Sequence, residues 1–310
     1  MDLITDLARG ALIGIPAGGA YALMAVTTTL MYRSTGVLSF ASSAFAMIAA
    51  YLYGELAGTR GWPTLAALVV ALGVTVAYGL AVELLAIRPT RRGSATAQLI
   101  ATLGVLAFST GVTLLVFGVR GGDAPVLLGG DAFRIFGVSM MPQQALMLVV
   151  AALVAIGLRV LLDATRLGLS VRATAQDAEV SRLMGVSLTR VAQFNWGLGA
   201  GLAGLAGILI APFSALTAAA FPLMLAKALT GSLLGGLASL GLSFAGGITV
   251  GVVEGAAAQR ASQPGVRELA IFAVVVVFLM VKRTWPAEIA RGTPTGLPRF
   301  RGIAGMTWAR

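Results

Sequence analysis

The 310-residue chain contains no cysteine and no histidine. Disulfide frameworks, Cys/His metal sites, haem ligation through either residue and every histidine-based catalytic triad are thereby excluded. Lysine occurs only as Lys227 and Lys282, which follow Ala226 and Val281, so the Gly-Lys-Ser/Thr ending of a phosphate-binding P-loop is missing. The chain is therefore not expected to hydrolyse a nucleotide by itself, and no cofactor is expected in it. Charge is scarce as well, at 11% Asp, Glu, Lys and Arg against about 25% in soluble domains. Apolar residues are abundant, at 58%, and the mean hydropathy is +0.92. A soluble protein of this length would need far more polar side chains to cover its surface. Composition thus rules out a soluble globular enzyme and predicts an all-α polytopic membrane protein.

A membrane-crossing helix needs roughly 20 apolar residues, somewhat fewer when it packs inside protein. About nine such runs occur, a helix count of about 8–10. They lie near Ala11 to Met31, Val37 to Leu56, Thr64 to Ile87, Ala97 to Phe117, Gln144 to Leu162, Val191 to Ala211, Pro222 to Gly236, Gly241 to Gly255 and Val266 to Val281. The seventh and eighth are short. Basic residues gather at Arg88, Arg91 and Arg92, at Arg166, Arg172, Arg182 and Arg190, and in the tail from Lys282 to Arg310. With Arg33 and Arg159 they make about 15 of the 22 basic residues, which predicts that these segments are cytoplasmic. The net charge of +10 is then accounted for by sidedness, and no nucleic-acid partner is required. Nine runs put the amino terminus outside and the carboxyl terminus inside, and the acidic start at Asp2 and Asp6 agrees. A secretory signal would begin with a basic region and precede a soluble domain, so the first run is expected to be retained. The expected organisation is a transmembrane domain over 1–283, with a polar cytoplasmic segment over 163–193, and a basic tail over 284–310.

Between Gly118 and Gln143, Pro125, Gly129, Gly130 and the alternating Phe133-Arg134-Ile135-Phe136 read either as a small extracytoplasmic hairpin or lid, or as a plain connector. Glycine is plentiful, at 40 residues, and much of it sits inside apolar runs. Gly197 and Gly201, then Gly247, Gly251 and Gly255, recur at every fourth residue, which lets a neighbouring backbone approach closely. The same faces suit helices that slide or line a path. Leu-Ser-Phe-Ala occurs at Leu38 to Ala41 and again at Leu242 to Ala245, a repeat compatible with two related halves or with coincidence in a biased composition.

The segment from Asp163 to Gln193 is expected to carry its own helix. Thr174 is the expected cap, Asp177 and Glu179 suit the positive end of the dipole, and Val180, Leu183 and Met184 form an apolar stripe. Gly185 ends the helix and Ser187 caps the next span. Such a helix fits a partner's groove, or rests as a solvated loop on the headgroups.

Several blocks together resemble the permease subunits of bacterial branched-chain amino-acid ABC importers, the LivH-like family. Gly18-Gly19-Ala20-Tyr21-Ala22-Leu23, Met31-Tyr32-Arg33 and Gly36-Val37-Leu38-Ser39-Phe40-Ala41 are similar to its first two helices, which end here in Ala50-Tyr51. Thr102-Leu103-Gly104 matches a fourth-helix motif. Thr165-Arg166-Leu167-Gly168 through Arg172-Ala173-Thr174-Ala175-Gln176-Asp177 and Leu183-Met184-Gly185-Val186 resemble its cytoplasmic coupling segment. Lys227-Ala228, Gly235-Gly236-Leu237-Ala238-Ser239 and Gly246-Gly247 through Gly251 to Glu254 resemble its late signature, the most specific part. The likeness covers about residues 8 to 283.

The resemblance implies an ABC importer permease in a bacterial inner membrane. Its partners would be a second homologous permease, two ATP-binding cassette subunits holding ATP and Mg, an extracytoplasmic substrate-binding protein and the lipid bilayer. It assigns Ser39, Phe40, Ser42, Ser43, Thr102, Gly104, Gly235, Gly236 and Ser239 to the substrate pathway, and Arg172, Ala173, Gln176, Asp177, Leu183 and Gly185 to coupling with the ATPase. One departure is chemical: where the family has Asn-Phe-Ala-(His or Gln)-Gly, this chain has Ser39-Phe40-Ala41-Ser42-Ser43. Hydroxyls replace amide and imidazole groups, which lowers the hydrogen-bonding capacity of that helix. Related importers carry amides, urea or other small solutes.

Lys227 and Glu254 are the ionisable residues expected within or at the edge of the bilayer, with Glu83 near the cytoplasmic end of the third run. They either pair between helices or snorkel separately to opposite interfaces. Acidic relays inside the spans are otherwise scarce, which favours ATP-driven transport over an ion-coupled carrier; a passive channel for small neutral solutes is the other alternative.

Overall fold

The computed structural model describes residues 2–91, 93–118, 123–135, 138–213, 216–237, 239–259 and 264–283. The basic tail 284–310, Arg92, Phe136 and Ala238 lie outside the described residues, and so does the side chain of Lys282.

Each of the nine apolar runs forms a helix. The first is α1 (Asp2–Thr35). The second is α2 (Ala41–Tyr53), prolonged by a π-helical turn over Gly54–Thr59. The third is α3 (Thr64–Val82), prolonged by a π-helical stretch over Glu83–Ile87 and the single turn α4 (Arg88–Thr90). Then come α5 (Ala95–Phe117) and, after a loop, the two-stranded hairpin β1 (Phe133–Ile135) and β2 (Val138–Met140). The chain continues through α6 (Pro142–Ala164), the short α7 (Arg166–Gln176) and α8 (Ala178–Leu183), and α9 (Leu188–Ile210). The late helices are α10 (Ala220–Leu234), α11 (Leu240–Ala258) and α12 (Pro264–Arg283). Among the described residues six segments are long and apolar enough to cross a bilayer, and α10 is a shorter apolar helix of 15 residues. The protein is therefore a multi-pass α-helical membrane protein.

Local chemistry sets the helix ends. Ser94 caps α5 by accepting from Ala97 N at 3.2 Å, and Ser187 caps α9 by accepting from Arg190 N at 3.5 Å. Pro142 occupies the first turn of α6, where its missing N–H has no cost.

Helices α1, α2 and α9 form the centre. α1 lies against α11, α9, α10 and α6, while α2 is wedged between α9, α3 and α5. Phe45 of α2 meets Tyr78 of α3 edge-on at 5.8 Å and Trp196 of α9 at 6.2 Å. The tightest seam joins α1 to α11. Gly10, Gly14 and Gly18 face Gly251 and Gly255, Gly247 packs on the Ala22 backbone, and a Cβ at Gly251 would overlap the Gly18 backbone. In lipid, where tails compete equally for apolar side chains, such close backbone approach is what holds helices together. The expected glycine face of α11 thus has a matching face on α1. A Cβ at Gly197 or Gly201 of α9 would instead come nearest to α3 side chains, Leu80 and Val76, at 3.2 Å.

The 118–143 region does contain a hairpin, with Phe133 opposite Met140 and Arg134 opposite Ser139. Its loop is tied to the bundle. Gln143 Oε1 accepts from Leu127 N at 3.0 Å and Leu128 N at 3.2 Å, and its Nε2 donates to Leu209 O at 3.4 Å. The Tyr53 hydroxyl donates to Pro125 O at 3.0 Å.

Candidate functional site

Two sets of residues were assigned to pathway and coupling, and they occupy different parts of the fold. Ser39, Ser42 and Ser43 sit at the start of α2, essentially without exposure, beside the half-buried Phe40. Ser42 Oγ donates to Ser39 O at 3.3 Å and approaches Met31 Sδ at 3.4 Å. The Ser39 and Ser43 hydroxyls have no partner among the described residues.

Other buried polar groups extend this set. Thr27, Thr28 and Thr29 lie in the last third of α1, Asn195 on α9, Ser232 on α10 and Ser243 on α11. Thr29 donates to Ser243 Oγ at 2.8 Å, and Ser232 donates to Ala25 O at 2.9 Å. Asn195 Oδ1 is buried with no partner among the described residues. None of these was singled out from the sequence, because a hydroxyl in an apolar run reads as an ordinary helical residue until neighbouring helices are placed. The spacing of Thr27, Thr28 and Thr29 was the available signal. Together these groups place uncharged donors and acceptors on the central helices α1, α2, α9, α10 and α11, with no fixed charge among them.

On α5, Thr102 shares a buried stripe with Ser109 and Thr113, and Ser109 meets the Tyr78 hydroxyl at 2.6 Å. Gly104 is not brought to that stripe: it faces outward, and a Cβ there would meet nothing within 4 Å. Helical spacing explains the split, since residues two apart on a helix point about 200° apart.

Gly235, Gly236 and Ser239 form the α10–α11 turn. Gly236 and Leu237 have φ of 67° and 57°, and Leu237 N donates back to Ser232 O at 2.9 Å. A left-handed leucine is uncommon, and the turn is held by the close packing of Gly235 on Ser243. Ser239 caps α11 by accepting from Leu242 N at 3.3 Å.

The polar 163–193 segment forms two helices in place of the single expected one. Thr174 is not a cap. It lies inside α7, where its hydroxyl donates to Ser170 O at 2.9 Å. The caps are Thr165 for α7, accepting from Gly168 N at 3.0 Å, and Asp177 for α8, accepting from Val180 N at 2.9 Å. A carboxylate answers both the free N–H groups and the dipole of α8, which a hydroxyl does less well. Gly185 ends the segment with φ of 85°. Val180, Leu183 and Met184 are exposed, the last two by 87% and 81%. Arg172 joins the base of the segment to α6 through Asp163 at 3.0 Å, with Ala173 and Gln176 on the following turn of α7.

Lys227 and Glu254 are ion-paired across α10 and α11, so the interhelical reading holds and the separate-snorkelling one does not. Lys227 also stands 3.4 Å from the Tyr21 hydroxyl and 5.3 Å from the centre of its ring. Glu83 is fully buried and paired with Arg91 at 2.6 Å. Arg91, just beyond the α3 span, is held below the ordinary guanidinium range by burial, against the opposing attraction of Glu83 and with a further lowering from Arg88. Among the described residues no group of three or more acidic side chains is placed to hold a metal.

Comparison with known proteins gives a consistent picture. Residues 11–282 match the family described as branched-chain amino acid transport system / permease component. The chain is 28% identical over 284 residues to the high-affinity branched-chain amino acid transport system permease protein LivH of Escherichia coli K12, covering 87% of this chain and 92% of that one. It is 29% identical over 286 residues to BraD of Pseudomonas aeruginosa, with the same coverage. A probable LivH of Methanocaldococcus jannaschii is 28% identical over 239 residues, 75% of each chain. No solved structure matches the chain significantly.

Proposed function

The chain belongs to the branched-chain amino acid transport permease family, and from that premise we propose that it is the membrane subunit of an ATP-driven importer for branched-chain or related small amino acids. It makes and breaks no covalent bond. A second homologous permease and this chain form the path, a binding protein delivers the solute from outside, and two ATP-binding cassette subunits hydrolyse ATP with Mg on the cytoplasmic side. The protein sits in a bacterial inner membrane with its amino terminus outside and its carboxyl terminus inside, the 163–193 segment and the 284–310 tail being cytoplasmic.

The observation that carries this reading is α8. It is a capped helix whose apolar side chains Val180, Leu183 and Met184 are left uncovered at one end of the bundle. Exposed side chains of this kind mark a docking surface for another polypeptide. Because α7 is braced on α6 by Arg172 and Asp163 and packs on α1 and α9, a push on α8 reaches the helices that carry the buried hydroxyls. Those hydroxyls lack a charged cage, which supports a small solute bound through neutral hydrogen bonds at each step.

Reconstituted vesicles test the reading. Uptake should require ATP and the binding protein and should persist with ionophores; uptake abolished by ionophores alone would overturn it. Asp177→Ala and Leu183→Ala should each lower solute-stimulated ATPase, by about tenfold if the side chain is an interface anchor, with membrane insertion unchanged. Normal stimulation in both variants would remove the coupling role from α8.

A further inference from the structure

A cleft of about 600 Å³ opens between α1, α6, α7 and α11, at the end of the bundle that carries α8. Its floor is apolar, built from Val26, Leu158, Leu162, Leu240 and Phe244. Its rim is basic, with Arg33, Arg159 and Arg172 against the single acid Asp163. That carboxylate is already shared, with Arg172 at 3.0 Å and Arg159 at 3.8 Å. Among the described residues no acidic group pairs with Arg33, which is partly buried and feels the repulsion of Arg172. Three cations against one anion leave the cleft with a net positive rim. A partly buried guanidinium facing another cation is costly unless an anion joins it.

The cleft also opens sideways. Ile156 lines it while 61% exposed on the outer face of α6, and α6 and α11 barely touch. A site with a basic rim at a helix end, an apolar floor and a lateral mouth matches an amphiphile that carries a phosphate on a hydrocarbon chain. We propose that this cleft binds an anionic phospholipid, with the headgroup phosphate between Arg33 and Arg172 and an acyl chain along Leu240 and Phe244. The guanidinium fork suits phosphate oxygens better than a point charge does. Such a lipid would brace the joint between α6 and α7, with Ser239 and the coupling residue Arg172 in the walls of the same cleft.

The test is lipid retention by the full chain purified with its partner subunits. Phosphatidylglycerol or phosphatidylcholine is added, and bound lipid is counted by native mass spectrometry. Phosphatidylglycerol should be retained in preference, Arg33→Gln should lower its retention about tenfold, as expected for one charge-assisted hydrogen bond, and millimolar inorganic phosphate should not displace it. Gly241→Leu is a second variant. A Cβ there meets nothing within 4 Å, so the fold should survive while the side chain fills the mouth and lowers retention too. Equal retention of the two lipids, unchanged retention in Arg33→Gln or Gly241→Leu, or full displacement by inorganic phosphate would each overturn the proposal.

Discussion

Helices α1 and α9 and helices α5 and α6 all cross the bilayer, but they meet opposite surroundings. In the most apolar stretch of α1, 72% of residues are buried in protein, and in α9 67%, against 22% for both α5 and α6. The buried helices are the less hydropathic ones. They carry Thr27, Thr28, Thr29, Asn195 and small residues, whereas α5 and α6 turn Phe108, Leu115, Leu153 and Ile156 outward. The inside-out distribution has a simple cause. Lipid tails solvate a leucine as well as a neighbouring helix does, so apolar burial gives no preference, and close packing of small residues with hydrogen bonds decides which helices sit at the centre. The centre is therefore where uncharged polar side chains are tolerated at least cost.

Substitutions can break this contrast. The largest effect is expected for Gly251→Leu on the inner seam, where the added side chain meets the Gly18 backbone and nothing flexible can yield. Overpacking of this kind costs about 1–3 kcal/mol even where side chains adjust, so folded yield by size-exclusion chromatography should collapse. The same change at outward-facing Gly104 of α5 should leave the yield unaltered, since the added Cβ meets open space. Next in size is Lys227→Met. It leaves Glu254 unpaired between α10 and α11, and loss of one partner of a buried pair costs about 3 kcal/mol; both side chains keep under a fifth of their surface exposed. The double variant Lys227→Met with Glu254→Met should recover most of the lost melting temperature. The smallest stability effect belongs to Ser43→Ala. Its hydroxyl has no partner among the described residues, so thermal stability should hold or rise by up to about 1 kcal/mol. Solute uptake should fall nonetheless, and normal uptake would remove Ser43 from the path.

The sequence carried the helices well because each apolar run is bounded by Gly, Pro or charged residues, and even the shorter α10 was visible in its length. The α8 stripe and the Gly185 terminus were legible from spacing alone. The cap was misassigned to Thr174 because threonine and aspartate both suit that role, and only the extended backbone of Asp177, at φ −153°, shows where α7 ends and α8 begins. The Glu83 and Arg91 pair was not legible as a pair: eight residues separate them, and only the continuous π-helical passage through Glu83–Ile87 brings the guanidinium back to the carboxylate. Pairing of Lys227 with Glu254 depends on how the α10–α11 turn aligns two helices, a long-range fact that local pattern does not contain. The glycines of α1 are plain in the sequence, yet their meaning needs the partner face on α11.

That seam has a consequence for how the protein is made. Helix α1 carries a groove whose filling helix is synthesised much later, as the Thr29–Ser243 contact across 214 residues illustrates. Until α11 arrives, α1 waits in the membrane with its smooth face open to lipid or to other helices. The α1–α11 seam thus closes only when a late helix meets an early one, and α11 acts as the bolt.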